Sequence, residues 1–262
     1  MSLIMHDRSE GAAGRAPVSP KGSAVCRAHV SFDGSTDLAE LARSYLAEPE
    51  AEAFAAMAGR ARIPWLLGRV AAKDAVRHHL VSRDFAPFDP TRIIVTNDTN
   101  GCPNIAVRGA RLATRGILVS IAHKPTVGVA VAGRVRSPAT SSGAAPLPTG
   151  IGSSAAPLPM GIGIDIESVE QRPPSFADVI LSPPERSLLN ARGDDLDVWL
   201  TRLWAVKEAT AKATGRGLRG RPKDFEVDAV DDGRLRCCGR WVATAPLDTN
   251  GGHYVVAWTD SV

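Results

Sequence analysis

The sequence predicts an α+β protein assembled as a pseudo-two-fold pair of similar lobes. Three observations lead there. A stretch rich in Pro, Gly, Ser and Ala at 137–160 has no hydrophobic periodicity and divides the chain into two parts of similar size. Each part mixes long helical patterns with short β-branched runs. The 262 residues have room for two small domains, and an apolar fraction of 44% is enough for a buried core.

Taken in order, residues 1–24 read as a flexible tail, rich in Gly, Ala, Ser and Pro. The N-terminal lobe is assigned to 25–136. It opens with a helix over 37–47, for which Asp37 is the N-cap and Glu40 the partner three residues on. A longer helix is expected over 64–81, with Pro64 suited to the first turn. Strands follow at 92–96, 105–107, 117–122 and 127–135, the first two joined by a turn-rich NDTNGCPN hairpin. The linker at 137–160 contains AAPLPTGIG and AAPLPMGIG, two copies where a stacked solenoid needs at least three. The C-terminal lobe, 161–262, opens with a strand over 161–166. A short helix at 184–190 and a strong one over 197–214 follow, the latter stopped by Gly215. Further strands are expected at 225–227, 235–242 and 254–258.

The formal net charge of +3 argues against a dedicated nucleic-acid binder, which concentrates Lys and Arg, and leaves room for a local phosphate-binding patch. Cys26, Cys102, Cys237 and Cys238 show no CxxC spacing and read as free thiols in a reducing cytosol. No apolar run approaches a membrane span, and no apolar signal region opens the chain, so a cytoplasmic protein is expected.

Two motifs carry chemistry. In GIGIDIES, alternation along a strand sends Asp165 and Glu167 to one face and Ile164 and Ile166 to the other. Paired carboxylates suit a hard cation such as Mg²⁺. In WAVKEATAK, helical spacing puts Trp204, Glu208 and Lys212 on one side. Each motif alone is also an ordinary pattern: a polar strand face, and a solvated Glu–Lys pair. On the helix at 64–81, Arg69, Lys73 and Arg77 share one arc, which is equally the pattern of a solvated basic face.

Together the motifs resemble the signature of the 4'-phosphopantetheinyl transferase superfamily, a Gly-Ile-Asp-x-Glu strand followed by a Trp-x-x-Lys-Glu-x-x-x-Lys helix. TGRGL at 214–218, DFEV at 224–227, TNGCPNI at 99–105, VSIAHKPTVGVAVA at 119–132 and WLLGRVAAKDAVR at 65–77 extend the likeness in the family's order. The length is similar to the two-lobed, surfactin-synthetase-activating type, which implies a monomer with its active site between the lobes.

The resemblance implies an enzyme that moves phosphopantetheine from coenzyme A to a serine of an acyl or peptidyl carrier protein, releasing 3',5'-ADP. Asp165, Glu167 and Glu208 would bind Mg²⁺, with Mn²⁺ an admissible substitute, and Glu208 is the family's usual base. Lys212, His123 and Lys124 would face the phosphates, and Arg69, with Arg60 or Arg62, the 3'-phosphate. Lys73 joins them as a coenzyme A contact. Ala122 and Cys102 depart from the family's Ser and Lys, and 137–160 is an insertion. No nucleic acid or membrane partner is implied. Two alternatives stand beside this reading: a silent binder of coenzyme A or carrier, and a metal-dependent phosphohydrolase.

Overall fold

The computed structural model describes residues 25–35, 37–83, 85–109, 116–134, 161–190, 195–231, 233–249 and 251–259. The tail at 1–24 and the linker at 137–160 lie outside the described residues. In the first half, strand β1 (Val25–Ser31) is followed by two short helices, α1 (Leu38–Tyr45) and α2 (Glu48–Ala56), and by the long helix α3 (Arg62–Val81). Two hairpins complete it, β2 (Ile93–Asn97) with β3 (Pro103–Val107) and β4 (Ile117–Lys124) with β5 (Val127–Arg134). The second half repeats that order: β6 (Ile164–Ser168), α4 (Pro174–Ile180), α5 (Pro183–Asn190), α6 (Leu196–Ala213), β7 (Val227–Asp231), β8 (Arg234–Cys237), β9 (Arg240–Thr249) and β10 (Gly252–Thr259).

The strand pairing repeats as well. The first strand of each half lies antiparallel to its last, giving β1-β5-β4 and β6-β10-β9-β8-β7. In the second half the sheet is continuous over five strands, whereas β2 and β3 form a separate ribbon in the first. Each long helix covers one face of its own sheet, α3 on β1, β4 and β5, and α6 on β6, β9 and β10. The opposite faces meet each other. Ile162, Ile164 and Ile166 pack there with Val127, Val129, Val131, Val256 and Trp258 in one apolar cluster. The edge strands β4 and β6 are stapled where the Ile164 N–H donates to Ser120 Oγ at 3.1 Å.

Most predicted elements form within a few residues of their expected bounds. Asp37 caps α1 through the Ala39 and Glu40 N–H groups. The strand expected over 235–242 is instead two strands, split by a turn in which Cys238 and Gly239 both take a left-handed φ. The strand expected at 225–227 begins at Val227. Three elements were unforeseen, β1, α2 and α4. β1 carries Arg27 and His29 within seven residues and is held by its register with β5, a tertiary cause. α2 buries only Glu50 and Phe54, too little for a periodic signal. The four cysteines are free, as expected. Among the described residues no helix is long and apolar enough to cross a membrane.

Candidate active site

The site begins with an alternation. Ile164 and Ile166 of β6 face the cluster shared with the first half, so Asp165 and Glu167 face the side covered by α6. Glycines set how closely that helix lies. A Cβ at Gly163 would stand 1.8 Å from the Ala209 carbonyl oxygen, and one at Gly161 would stand 2.3 Å from that of Ala213. Only glycine permits this contact, and it brings the last turns of α6 down onto the acidic face of β6. Lys212 then donates from Nζ to Asp165 Oδ1 at 2.8 Å and to the Ile164 carbonyl at 3.1 Å.

The first half supplies the facing cations. Lys124, at the end of β4, donates to Glu167 Oε2 at 2.7 Å, because the β4 edge runs beside β6. Arg172 approaches the same oxygen at 3.6 Å from the other side and stacks over Phe176, which in turn meets Trp204 edge to face. Arg172 was missed in the sequence, since it lies in the aperiodic QRPP segment before α4 and only the fold brings it to Glu167.

The electrostatics mark the carboxylates as a mutually repelling group. Burial, and to a lesser degree Glu167 and Glu208, raise the pKa of Asp165 to about 6, against the opposing pull of Lys212. Burial and Glu167 also raise Glu208, again opposed by Lys212 and Lys124. Desolvation lowers His123 below the usual histidine value, assisted by Lys212, Lys124 and Arg69, so the imidazole is neutral near pH 7.

Among the described residues, no three Asp, Glu, His or Cys side chains are already gathered as a metal cage. The donor set nevertheless fits a hard divalent cation. Asp165 Oδ2 is buried with no hydrogen-bond partner while its other oxygen is held by Lys212. Two carboxylates from one strand face and a third from the helix above it are the oxygen ligands that Mg²⁺ takes alongside water and phosphate.

Beside these residues a cavity of about 550 Å³ opens between the halves. One wall is the β2–β3 turn at 100–104 with Ser120 and Ile121; the other runs from Lys212 through Arg216 to Arg219, with Gly161 and Ile162 between. Lys212 therefore belongs both to the carboxylate cluster and to the cavity.

Other expected residues fall elsewhere. Lys73 is wholly buried, its ammonium enclosed by the Glu50 carboxylate and the carbonyls of Tyr45 and Ile93. It is a structural cation and presents no surface to a ligand. Arg69 is 8% exposed, donates to Asn97 Oδ1 at 3.2 Å and lies over Trp65. Arg62 is exposed over Phe54, Arg60 is exposed, and Arg77 pairs with Asp74. Ala122 packs in the apolar cluster between the sheets, so a hydroxyl there would face that cluster. The apolar stretch from Phe176 to Leu189 turns Ile180, Leu181 and Leu189 into the core, leaving Val179 as its exposed large hydrophobic.

Residues 161–259, which hold β6 and α6, match the 4'-phosphopantetheinyl transferase superfamily. That stretch is similar to the superfamily, a class of transferases. Among solved structures, a holo-ACP-synthase from Plasmodium yoelii aligns at 17% identity over 44% of this chain and 94% of its own, with a TM-score of 0.35. A holo-(acyl-carrier-protein) synthase from Bacillus anthracis str. Ames in complex with CoA (3',5'-ADP) aligns at 19% identity over 42% and 93%, with a TM-score of 0.34. No curated protein matches the chain.

Proposed function

We propose that this protein transfers the 4'-phosphopantetheine group of coenzyme A to a serine hydroxyl of an apo acyl or peptidyl carrier protein and releases 3',5'-ADP. The observation that carries the reading is Asp165, with one buried oxygen on Lys212 and the other unpartnered, in the field of Glu167 and Glu208 beside a nucleotide-sized cavity. The chain is read as the two-lobed type, 25–136 and 161–262, acting as a cytoplasmic monomer with the cleft between its halves.

Asp165, Glu167 and Glu208 would hold Mg²⁺, which supplies charge neutralisation at the diphosphate. In the transfer, a bond forms from the serine oxygen to the β-phosphorus, and the bond from that phosphorus to the oxygen of 3',5'-ADP breaks. The hydroxyl proton passes to Glu208, whose raised pKa makes it a better base than an exposed glutamate. Lys212 sits where it can follow charge onto the departing nucleotide. His123, neutral and at the strand end, donates an N–H to a phosphate oxygen. Lys124 orients Glu167.

Intact-protein mass spectrometry of apo carrier proteins incubated with this protein, coenzyme A and Mg²⁺ tests the reading. A gain of one phosphopantetheine, abolished by EDTA and by Glu208→Ala, is expected. Coenzyme A consumption without an acceptor would show a hydrolase instead. Absence of any gain on carriers of all three kinds, fatty-acid, polyketide and peptide, would sink the proposal.

A further inference from the structure

The four cysteines differ in their surroundings, and one adjacent pair stands apart. Cys237 ends β8 wholly buried, in the core cluster with Val206 and Ala209 of α6, while Cys238, the next residue, is exposed. Along a regular strand successive side chains point to opposite faces. Here the left-handed φ of Cys238, 50°, breaks that alternation, and both sulfurs rest against one neighbouring segment. The Cys237 thiol donates to the Phe225 carbonyl at 3.3 Å and the Cys238 thiol to that of Asp224 at 3.6 Å. The two thiols are also hydrogen-bonded to each other.

A two-residue hairpin turn with both residues left-handed favours Asn-Gly or Asp-Gly, whose side chains tolerate that backbone. Cys238 and Gly239 fill this one, between Cys237 and Arg240, which pair across β8 and β9. A cysteine meets a steric cost there that glycine does not. The charges around the pair favour a thiolate on the outer sulfur. The hydrogen bond from Cys237 is the largest influence and lowers Cys238 to about 7, against the opposing effect of desolvation. The buried Lys207 ammonium acts in the same direction, while Asp224 and Asp228 oppose it, each of them paired with an arginine, Arg221 and Arg236. The same hydrogen bond, with burial, raises Cys237, so the inner sulfur stays a thiol. Cys26 and Cys102 are half-buried, and burial with Asp98 raises the Cys102 thiol.

We infer that Cys238 is a modification site, a nucleophilic thiol that exchanges with the disulfides of small thiols and is held for that reaction by the Cys237 S–H. The Cys238 thiolate attacks one sulfur of the small disulfide, a new S–S bond forms, the old one breaks, and one small thiolate leaves. No oxidant beyond that disulfide is needed. A thiol that ionises near ambient pH combines a large thiolate population with retained nucleophilicity. The adduct stays on Cys238, because Cys237 is closed off in the core and adjacent Cα atoms, about 3.8 Å apart, lie inside the usual span of a disulfide. The inference is independent of the reading of the cleft.

Incubation of the full-length protein with oxidised glutathione near neutral pH, followed by intact mass and peptide mapping, tests this. One adduct is expected, on Cys238 and removed by dithiothreitol. Cys238→Asn should take up no adduct and keep its melting temperature, because Asn-Gly suits the turn. In Cys237→Ala the pH of half-maximal reaction rate should move from about 7 toward the ordinary thiol value of about 8.5. No adduct, an adduct on Cys26 or Cys102 ahead of Cys238, or a Cys237–Cys238 bond in its place overturns the inference. An unchanged midpoint in Cys237→Ala, with the fold intact by melting, overturns the part assigned to Cys237.

Discussion

The two halves share a buried device and differ one residue beyond it. In each, a lysine of the long helix is wholly buried against a glutamate of the preceding short helix: Lys73 on Glu50, and Lys207 on Glu185 at 2.8 Å. Each glutamate also accepts an N–H at the start of its own helix, from Ala47 or Ser182, and a second from a strand, Val95 or Val227. Each lysine also donates to a carbonyl, of Ile93 or Pro222. A charge pair so fully hydrogen-bonded can be buried in both halves. The next residue is an acid in both, yet Asp74 is buried under Tyr45 and Arg77, whereas Glu208 is half-open to the cleft and in the field of Asp165 and Glu167. The repeated device holds the helix in both halves; the proposed chemistry falls in the half where the following acid faces the cleft.

The sharpest way to break the comparison exchanges these two acids for their amides. Glu208→Gln should lower transfer by about 10²- to 10⁴-fold, the usual contribution of a general base, with little loss of stability. Asp74→Asn should leave kcat within a few-fold and show its effect in unfolding. Steady-state kinetics on both variants, with thermal melts alongside, separates the outcomes.

Next in size are the buried pairs. Lys73→Met and Lys207→Met should each cost about 3–5 kcal/mol in urea unfolding, since either leaves a carboxylate buried without its cation. If Lys73→Met instead kept full stability and weakened coenzyme A binding, its structural assignment would be wrong.

A smaller effect appears in the pH dependence of the metal-free protein. Burial raises Asp165 to about 6, from an unfolded value near 3.9. Between those values the folded state binds more protons than the unfolded one, so this group lowers stability as pH rises from about 4 to about 6, by about 3 kcal/mol in all. Asp165→Asn should therefore stabilise the metal-free protein above pH 6, leave it unchanged below pH 4, and abolish transfer. Equal unfolding midpoints for wild type and variant at pH 8 would refute the shift.

The mildest expectation concerns Lys124. Its pair with Glu167 is partly exposed, so Lys124→Gln should change stability by less than about 1 kcal/mol. Its effect should appear in the Mg²⁺ concentration that supports half-maximal transfer, because Glu167 loses its orienting partner.

Much of this was legible in the residues. Alternation in GIGIDIES placed Asp165 and Glu167 on one face, and both glycines have a physical purpose there, the close descent of α6. The helical spacing of Glu208 and Lys212 also put both at the same side of β6, where Lys212 reaches Asp165. Lys73 misled for an equally physical reason. An i, i+4, i+8 row of cations looks alike whether it meets solvent or a buried glutamate, and Glu50 is 23 residues away in an unforeseen helix. Lys207 stood in the WAVKEATAK motif, but its burial against Glu185 was unreadable on the same ground.

What the sequence determined by itself was local: caps, turns, the period of each element, and which side chains share a face, all set by backbone geometry within a few residues. Which faces meet was decided by the tertiary structure alone. The edge contact of β4 with β6 puts Lys124 beside Glu167, and the return of the chain after α6 aligns Arg216 and Arg219 along the cavity. Those juxtapositions join residues far apart in the chain, and they hold because the apolar faces of the two sheets are buried against each other.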